Sequence, residues 1–195
     1  MPLDERVLCI AASHFRKVGA FEGFHNPVAD NRDALLDPSQ YRFLPRFDIE
    51  TDPEWLQLIP YVVLACGPQM FHYRRGSSGT EARLRALRSV GIGGHISEAD
   101  AAGGGDPYRI GMHREVAEEV NHATVLNERW LGFIYDPRTL VGSVHLGVVH
   151  LWELAEPWAT PKESVIDAAG FGSLTELRKE RKQFETWSQF VFAEL

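Results

Sequence analysis

Glu115, Glu118 and Glu119 are spaced so that one helix would carry all three carboxylates within an arc of roughly 100°. Hard oxygen donors gathered on one side are what Mg2+ takes, with Mn2+ as a substitute and with water and phosphate oxygens completing the octahedron. Met112, Val116 and Val120 make an apolar stripe centred about 100° from the acidic centre, so the acids would border the core-facing side of that helix. The ordinary alternative is a solvated acidic face. Two costs weigh against it. The second and third glutamates would stand in the last helical turn, where the negative end of the macrodipole disfavours each by about 0.3–1 kcal/mol. They also repel Glu115 at the three- and four-residue spacings that bring side chains together. A divalent cation reverses both penalties. Zinc-type cysteine or paired-histidine spacings are absent, although His113 and His122 flank the cluster.

The elements that must position these acids can be read from local chemistry. Asp106 followed by Pro107 has the pattern of a helix start, since an N-cap carboxylate accepts early N–H groups and proline fits the first helical position. That helix should run to about Val120, and Asn121 suits the left-handed residue that ends a helix where glycine is lacking. Before it lies the glycine-rich stretch GIGGHISEADAAGGGDP. Further upstream, the apolar run IPYVVLAC, the punctuation Gly67-Pro68 and then MFHYR read as a β-hairpin. Residues 80 to 90 read equally as a short helix or a strand. After the acidic helix, WLGFIY and VGSVHLGVVHLWEL read as two strands separated by DPRT. Ser173 and Glu176 make a capping-box pattern before Leu177, and Phe184, Trp187, Val191 and Leu195 recur at helical spacing. Residues 7 to 12 suit a strand, whereas the segment from Phe15 to Trp55 has no sustained period and reads as an irregular elaboration. The predicted class is α+β, a mixed sheet flanked by helices.

Composition narrows the function. A chain of 195 residues supports one well-buried core. Twenty basic against 27 acidic residues leave a net charge of -7, which repels a nucleic-acid backbone in the absence of a basic stripe. Cys9 and Cys66 sit in apolar runs, where a thiol packs as a small hydrophobe, so a disulfide framework is not expected and a reducing cytoplasm is. No stretch approaches the roughly 18 apolar residues of a membrane span.

The segment Arg114-Glu115-Val116-Ala117-Glu118-Glu119 resembles the core of the Nudix box, in which a glycine and a glutamate precede Arg-Glu-hydrophobic-x-Glu-Glu. Gly94, preceded by Gly93, falls at the first box position. Asp100 stands where the family has glutamate, thirteen residues instead of seven separate it from Arg114, and Asn121 replaces the box glycine. The inserted AAGGG lengthens a loop without needing a new core element. Residues from about 56 to the end fit a Nudix domain, with 1–55 as an N-terminal extension. The phrases GIGGHI, VGSVHLGVV and FETWSQF are similar to a MutT-like bacterial subgroup of predicted phosphoesterases.

That resemblance implies a Nudix fold, an α/β/α sandwich, and a small-molecule diphosphate substrate. It implies that Glu118 and Glu119 bind magnesium, that Glu115 joins them or serves as general base, that Arg114 orients the acids, and that a backbone oxygen near Gly93 completes the site. The reaction would be attack of water on phosphorus in a nucleoside diphosphate derivative. A non-catalytic Nudix module that senses a nucleotide-like ligand is the competing expectation.

Other residues carry weaker expectations. Arg74 and Arg75 suit a phosphate grip, since guanidinium matches it in a bidentate manner, or are two exposed charges at a strand end. Phe71, Tyr73, Trp130 and Tyr135 are either base-stacking groups or core. Asp136 and Glu153 are candidate helper acids, with a turn before Pro137 as the structural reason for Asp136. Residues 15 to 55 would cap the cleft or form a homodimer contact.

Overall fold

The computed structural model describes residues 5–27, 29–75, 87–162 and 166–195. The first strand and helix are β1 (Arg6–Ala11) and α1 (Ala12–Gly19), followed by β2 (Gly23–His25), α2 (Ala29–Leu35), β3 (Arg42–Pro45) and α3 (Arg46–Ile49). No element of this extension exceeds eight residues, which is why its sequence shows no sustained period. β4 (Trp55–Cys66) and β5 (Gln69–Arg75) form the expected hairpin, in register at Ala65 with Met70 and at Cys66 with Gln69. Short strands β6 (Arg88–Ser89) and β7 (Gly91–Ile92) lead into the glycine-rich loop. The remaining elements are α4 (Pro107–Glu119), β8 (Val120–His122), β9 (Val125–Tyr135), β10 (His145–Leu154), β11 (Ala159–Pro161), β12 (Ile166–Ser173), α5 (Leu174–Lys179) and α6 (Thr186–Glu194).

Along the main sheet the hydrogen-bonding order is β12-β5-β4-β10-β9-β2, with β11 and β8 paired separately. The chain is therefore a mixed sheet flanked by helices, as the sequence leads one to expect. Two compact units can be distinguished. The first comprises Met1–Pro60, Gly94–Arg114 and Gly132–Val148, and the second Tyr61–Gly93, Glu115–Leu131 and Val149–Leu195. Their boundary falls inside α4, between Arg114 and Glu115, so each is described by itself. No helix among the described residues is long and apolar enough to cross a membrane.

In the first unit β1 is paired on both edges, with β3 from Arg6↔Pro45 to Cys9↔Arg42 and with β4 from Cys9↔Gln57 to Ala11↔Trp55. Val7, Cys9 and Ile49 pack together with Leu44 and Trp55 against them. Burial raises the Cys9 thiol to about 12 despite the opposing Arg42 charge, so it packs as a small apolar group. The second strand edge that matters is β9, which pairs Phe133 to Tyr135 with β2.

In the second unit Tyr61 is the centre of a buried polar network. Its hydroxyl donates to Glu185 Oε1 at 2.5 Å and lies 2.8 Å from Ser188 Oγ. Glu185 in turn caps α6 by accepting from the Trp187 and Ser188 amides at 2.7 and 2.9 Å. This second cap is why the helical spacing from Phe184 onward does not continue α5. The chain breaks at Glu180 to Glu185 and restarts. Gly91 lies against the Tyr61 ring, and a Cβ there would stand 2.2–2.3 Å from three ring atoms. The ring cannot retreat without breaking its hydroxyl bonds. Gly91→Ala is therefore expected to cost about 3 kcal/mol, at the upper end of overpacking effects, as a lowered midpoint in urea denaturation. A midpoint equal to that of the wild type would mean that the ring has room to move.

His72 on β5 shares a cavity of about 350 Å³ with Arg88 and Glu180. Arg88 donates to Glu180 and lies 4.4 Å over the Phe184 ring. Burial is the main cause, and the Arg88 charge the second, that lowers His72 from 6.5 to about 4, against a raising effect of Glu180. The unfolded chain thus takes up this proton first as the pH falls, so the His72 contribution is complete above about 6.5 and is lost toward 4. His72→Gln is expected to flatten the decline in stability across that window in denaturation series at pH 7, 5.5 and 4.5. Parallel declines for both proteins would contradict the assignment.

Candidate active site

The helix that carries the acids begins as its sequence dictates. Asp106 Oδ1 accepts the Tyr108 amide at 3.0 Å, and Pro107 takes the first position. Met112, Val116 and Val120 are 1%, 0% and 1% exposed, with Tyr108 extending the stripe at 3%. Each of the aliphatic members contributes about 1.5–3 kcal/mol of burial.

In the first unit Arg114 reaches Asp100. Arg114 Nε donates to Oδ1 at 2.8 Å and Nη2 to Oδ2 at 2.9 Å, a two-pronged pair, and Nη2 also donates to the His95 carbonyl at 3.0 Å. Asp100 is one methylene shorter than the glutamate of the box, yet it reaches because of where it stands. It is the third residue of a 3-10 turn, Glu98–Ala101, capped by Ser97. Its Oδ2 accepts the Ser97 amide at 2.8 Å, while Ser97 Oγ accepts the Ala99 amide at 3.2 Å. Gly111 admits this close approach, since a Cβ there would stand 2.6 Å from Asp100 Oδ2 and 2.7 Å from Ile96. The six extra loop residues cost the geometry nothing. Gly104 and Gly105 turn in the left-handed region at φ of 73° and 92°, and a Cβ at Gly103 or Gly104 would meet nothing within 4 Å.

His95 itself is half-buried. Burial first, then the Arg46 and His145 charges, hold its imidazole well below its ordinary range, so it is neutral. Its Nε2 lies 3.4 Å from that of His145.

In the second unit Glu115 and Glu119 are half-buried and Glu118 is exposed on the last turns of α4. Asn121 is not the left-handed cap that the sequence suggests. It is exposed in β8, opposite Thr160 of β11, and Ala168 is the sole non-glycine residue at positive φ among the described ones. The reason is that β11 offers a strand partner immediately after the helix, with Val120↔Pro161, Asn121↔Thr160 and His122↔Ala159 in register. The carbonyls that a left-handed cap would satisfy are taken instead by Lys162. Its amide donates to Glu119 O at 2.8 Å and its Nζ to Ala117 O at 2.6 Å.

Gly93 follows β7 and Gly94 opens the loop. Arg74 is exposed on β5, in register with Asp167, and the Arg75 side chain lies outside the described residues. Phe71 and Tyr73 are core, at 0% and 2% exposure. Tyr135 packs edge-on against Phe15 at 5.1 Å, and Trp130 is half-buried. Asp136 is buried and held by Arg138 at 2.6 and 2.9 Å, which gives it a turn-stabilising role. Glu153 pairs with Arg129 at 3.1 Å. Among the described residues no three His, Cys, Asp or Glu side chains gather closely enough to form a ready-made metal cage. The donor chemistry on α4 nonetheless fits magnesium. The three acids offer hard oxygen donors on one helix, and magnesium keeps several waters and needs few protein carboxylates.

Sequence reading overlooked Ser97, Gly111 and Lys162. Ser97 was detectable, because Ser97-x-x-Asp100 is itself a capping-box pattern. Gly111 looks like a weak helix residue until its neighbour is known. Lys162 follows a three-residue strand, too short to leave a period.

The chain is 34% identical over 204 residues to Protein YmaB of Bacillus subtilis (strain 168), covering 97% of this chain and 96% of that protein. It superposes with a TM-score of 0.80 on the crystal structure of Tm1382, described as "a putative Nudix hydrolase", at 31% identity and 97% coverage of both chains. DR0079 from Deinococcus radiodurans aligns at a TM-score of 0.48 and 16% identity over 70% of this chain and 80% of its own. No family profile matches. A mixed sheet flanked by helices and near-complete coverage by two relatives above 30% identity, one of them described as a putative Nudix hydrolase, place this chain in the Nudix hydrolase superfamily.

Proposed function

We propose that this protein hydrolyses a phosphoanhydride bond in a nucleoside diphosphate derivative or related small diphosphate, using magnesium held by Glu118 and Glu119. The observation that carries the reading is the two-pronged Arg114–Asp100 pair, which joins the arginine and the acid of the box-like pattern directly before the run Glu115, Glu118 and Glu119. Bound there, magnesium would supply charge neutralisation on the diphosphate and a more acidic attacking water. Glu115, next to the locked arginine, either adds a third oxygen to the ion or takes the proton of that water. A backbone oxygen near Gly93 would complete the donor set, and Arg74 would be a cation suited to the substrate phosphates. The bond formed is from the water oxygen to phosphorus, and the bond broken is the bridging P–O, leaving two phosphorylated products.

The test is a panel of nucleotide sugars, dinucleoside polyphosphates, NADH, CoA and nucleoside triphosphates, incubated with magnesium and with EDTA. Release of nucleoside monophosphate or phosphate from at least one substrate, abolished by EDTA, is the expected result. Saturable binding by calorimetry without turnover of any member would favour a sensing module instead.

A further inference from the structure

The C-terminal end of α4 is closed in an unusual way. A helix leaves its last carbonyls without intrahelical partners, and a glycine cap would ordinarily help to satisfy them. Here the next residue is already in a strand, and one residue from β11's end reaches both Ala117 O, through its ammonium, and Glu119 O, through its amide. These two carbonyls bracket Glu118 and Glu119, the proposed metal ligands. We infer that Lys162 is a positioning residue for the metal site: its paired hydrogen bonds fix the last turn of α4 and so raise the affinity of Glu118 and Glu119 for a divalent cation. The inference rests on the metal assignment made above.

Charge alone predicts the opposite sign. A lysine ammonium beside carboxylates repels an incoming dication, so its removal should tighten metal binding. A clamp predicts weakening, because the carboxylates must then be ordered when the ion arrives, and residues that orient metal ligands typically matter by 10- to 100-fold in affinity. The Lys162 side chain is exposed, so replacing it leaves no cavity. The backbone half of the clamp persists in any variant, which places the expected effect at the lower end of that range.

The test is titration of Mn2+ alone, by calorimetry or by the paramagnetic resonance signal of free Mn2+, into wild type, Lys162→Met, Lys162→Arg and Glu118→Gln. Lys162→Met should weaken Mn2+ binding about tenfold. Lys162→Arg, which still donates to the Ala117 carbonyl, should stay within about twofold of wild type. In hydrolysis, the magnesium concentration for half-maximal rate should rise in Lys162→Met by a similar factor, with the rate at saturating magnesium little changed. Unchanged or tighter Mn2+ binding by Lys162→Met overturns the clamp while leaving the metal assignment intact. Equal Mn2+ binding by wild type and Glu118→Gln overturns the metal assignment, and the clamp with it.

Discussion

Glu118→Gln is expected to lower the magnesium-dependent hydrolysis rate at least tenfold while leaving the protein as stable as wild type or slightly more so. The loss follows from removing one of few protein oxygens that hold the ion. The stability has the opposite sign because the carboxylate stands in the last turn of α4, where the macrodipole disfavours it by a few tenths of a kcal/mol or more, and three residues from Glu115, a spacing at which like charges repel. Steady-state rates at saturating magnesium together with a thermal denaturation scan check both halves. An active Glu118→Gln protein would show that the ion is held elsewhere. An inactive but strongly destabilised one would show that Glu118 serves the fold.

The second large effect is expected at Arg114. Its side chain is 31% exposed, but its partner Asp100 is only 5% exposed and also receives the Ser97 amide. Arg114→Met removes both guanidinium bonds from that enclosed carboxylate. Breaking a fully buried pair costs about 3–5 kcal/mol, and partial exposure of the arginine reduces the expectation to about 2 kcal/mol. Activity should fall more than stability does, because Arg114 stands directly before Glu115 in the box-like run. A double-mutant cycle with Asp100→Asn separates the effects. The two single losses should be far from additive, with a coupling above about 1 kcal/mol in urea denaturation. Additive losses would mean that the contact is incidental.

These two predictions depend on different degrees of legibility in the sequence. The helix from Pro107, its apolar stripe and its acids could be read directly, because Asp106-Pro107 and the 3.6-residue period act within a few residues of one another. The β4–β5 hairpin was legible for the same local reason, although β4 proved longer, starting at Trp55. The end of α4 was not legible. Asn121 has the chemistry of a left-handed cap, and only the arrival of β11, almost forty residues later in the chain, turns it into a strand residue. The Asp100 substitution was legible as a departure from the family pattern, but its remedy, a capped 3-10 turn pressed against Gly111, is a tertiary fact. Likewise Glu185 looks like a surface acid, yet it caps α6 and receives the Tyr61 hydroxyl from a strand more than a hundred residues earlier.

The most direct test of the account is a crystal of the wild-type protein soaked in Mn2+ and measured with anomalous scattering. The account predicts one strong anomalous peak within about 2.0–2.3 Å of carboxylate oxygens from both Glu118 and Glu119, absent in Glu118→Gln crystals treated identically. A wild-type map with no peak at the end of α4, in crystals that admit the ion elsewhere, would contradict it.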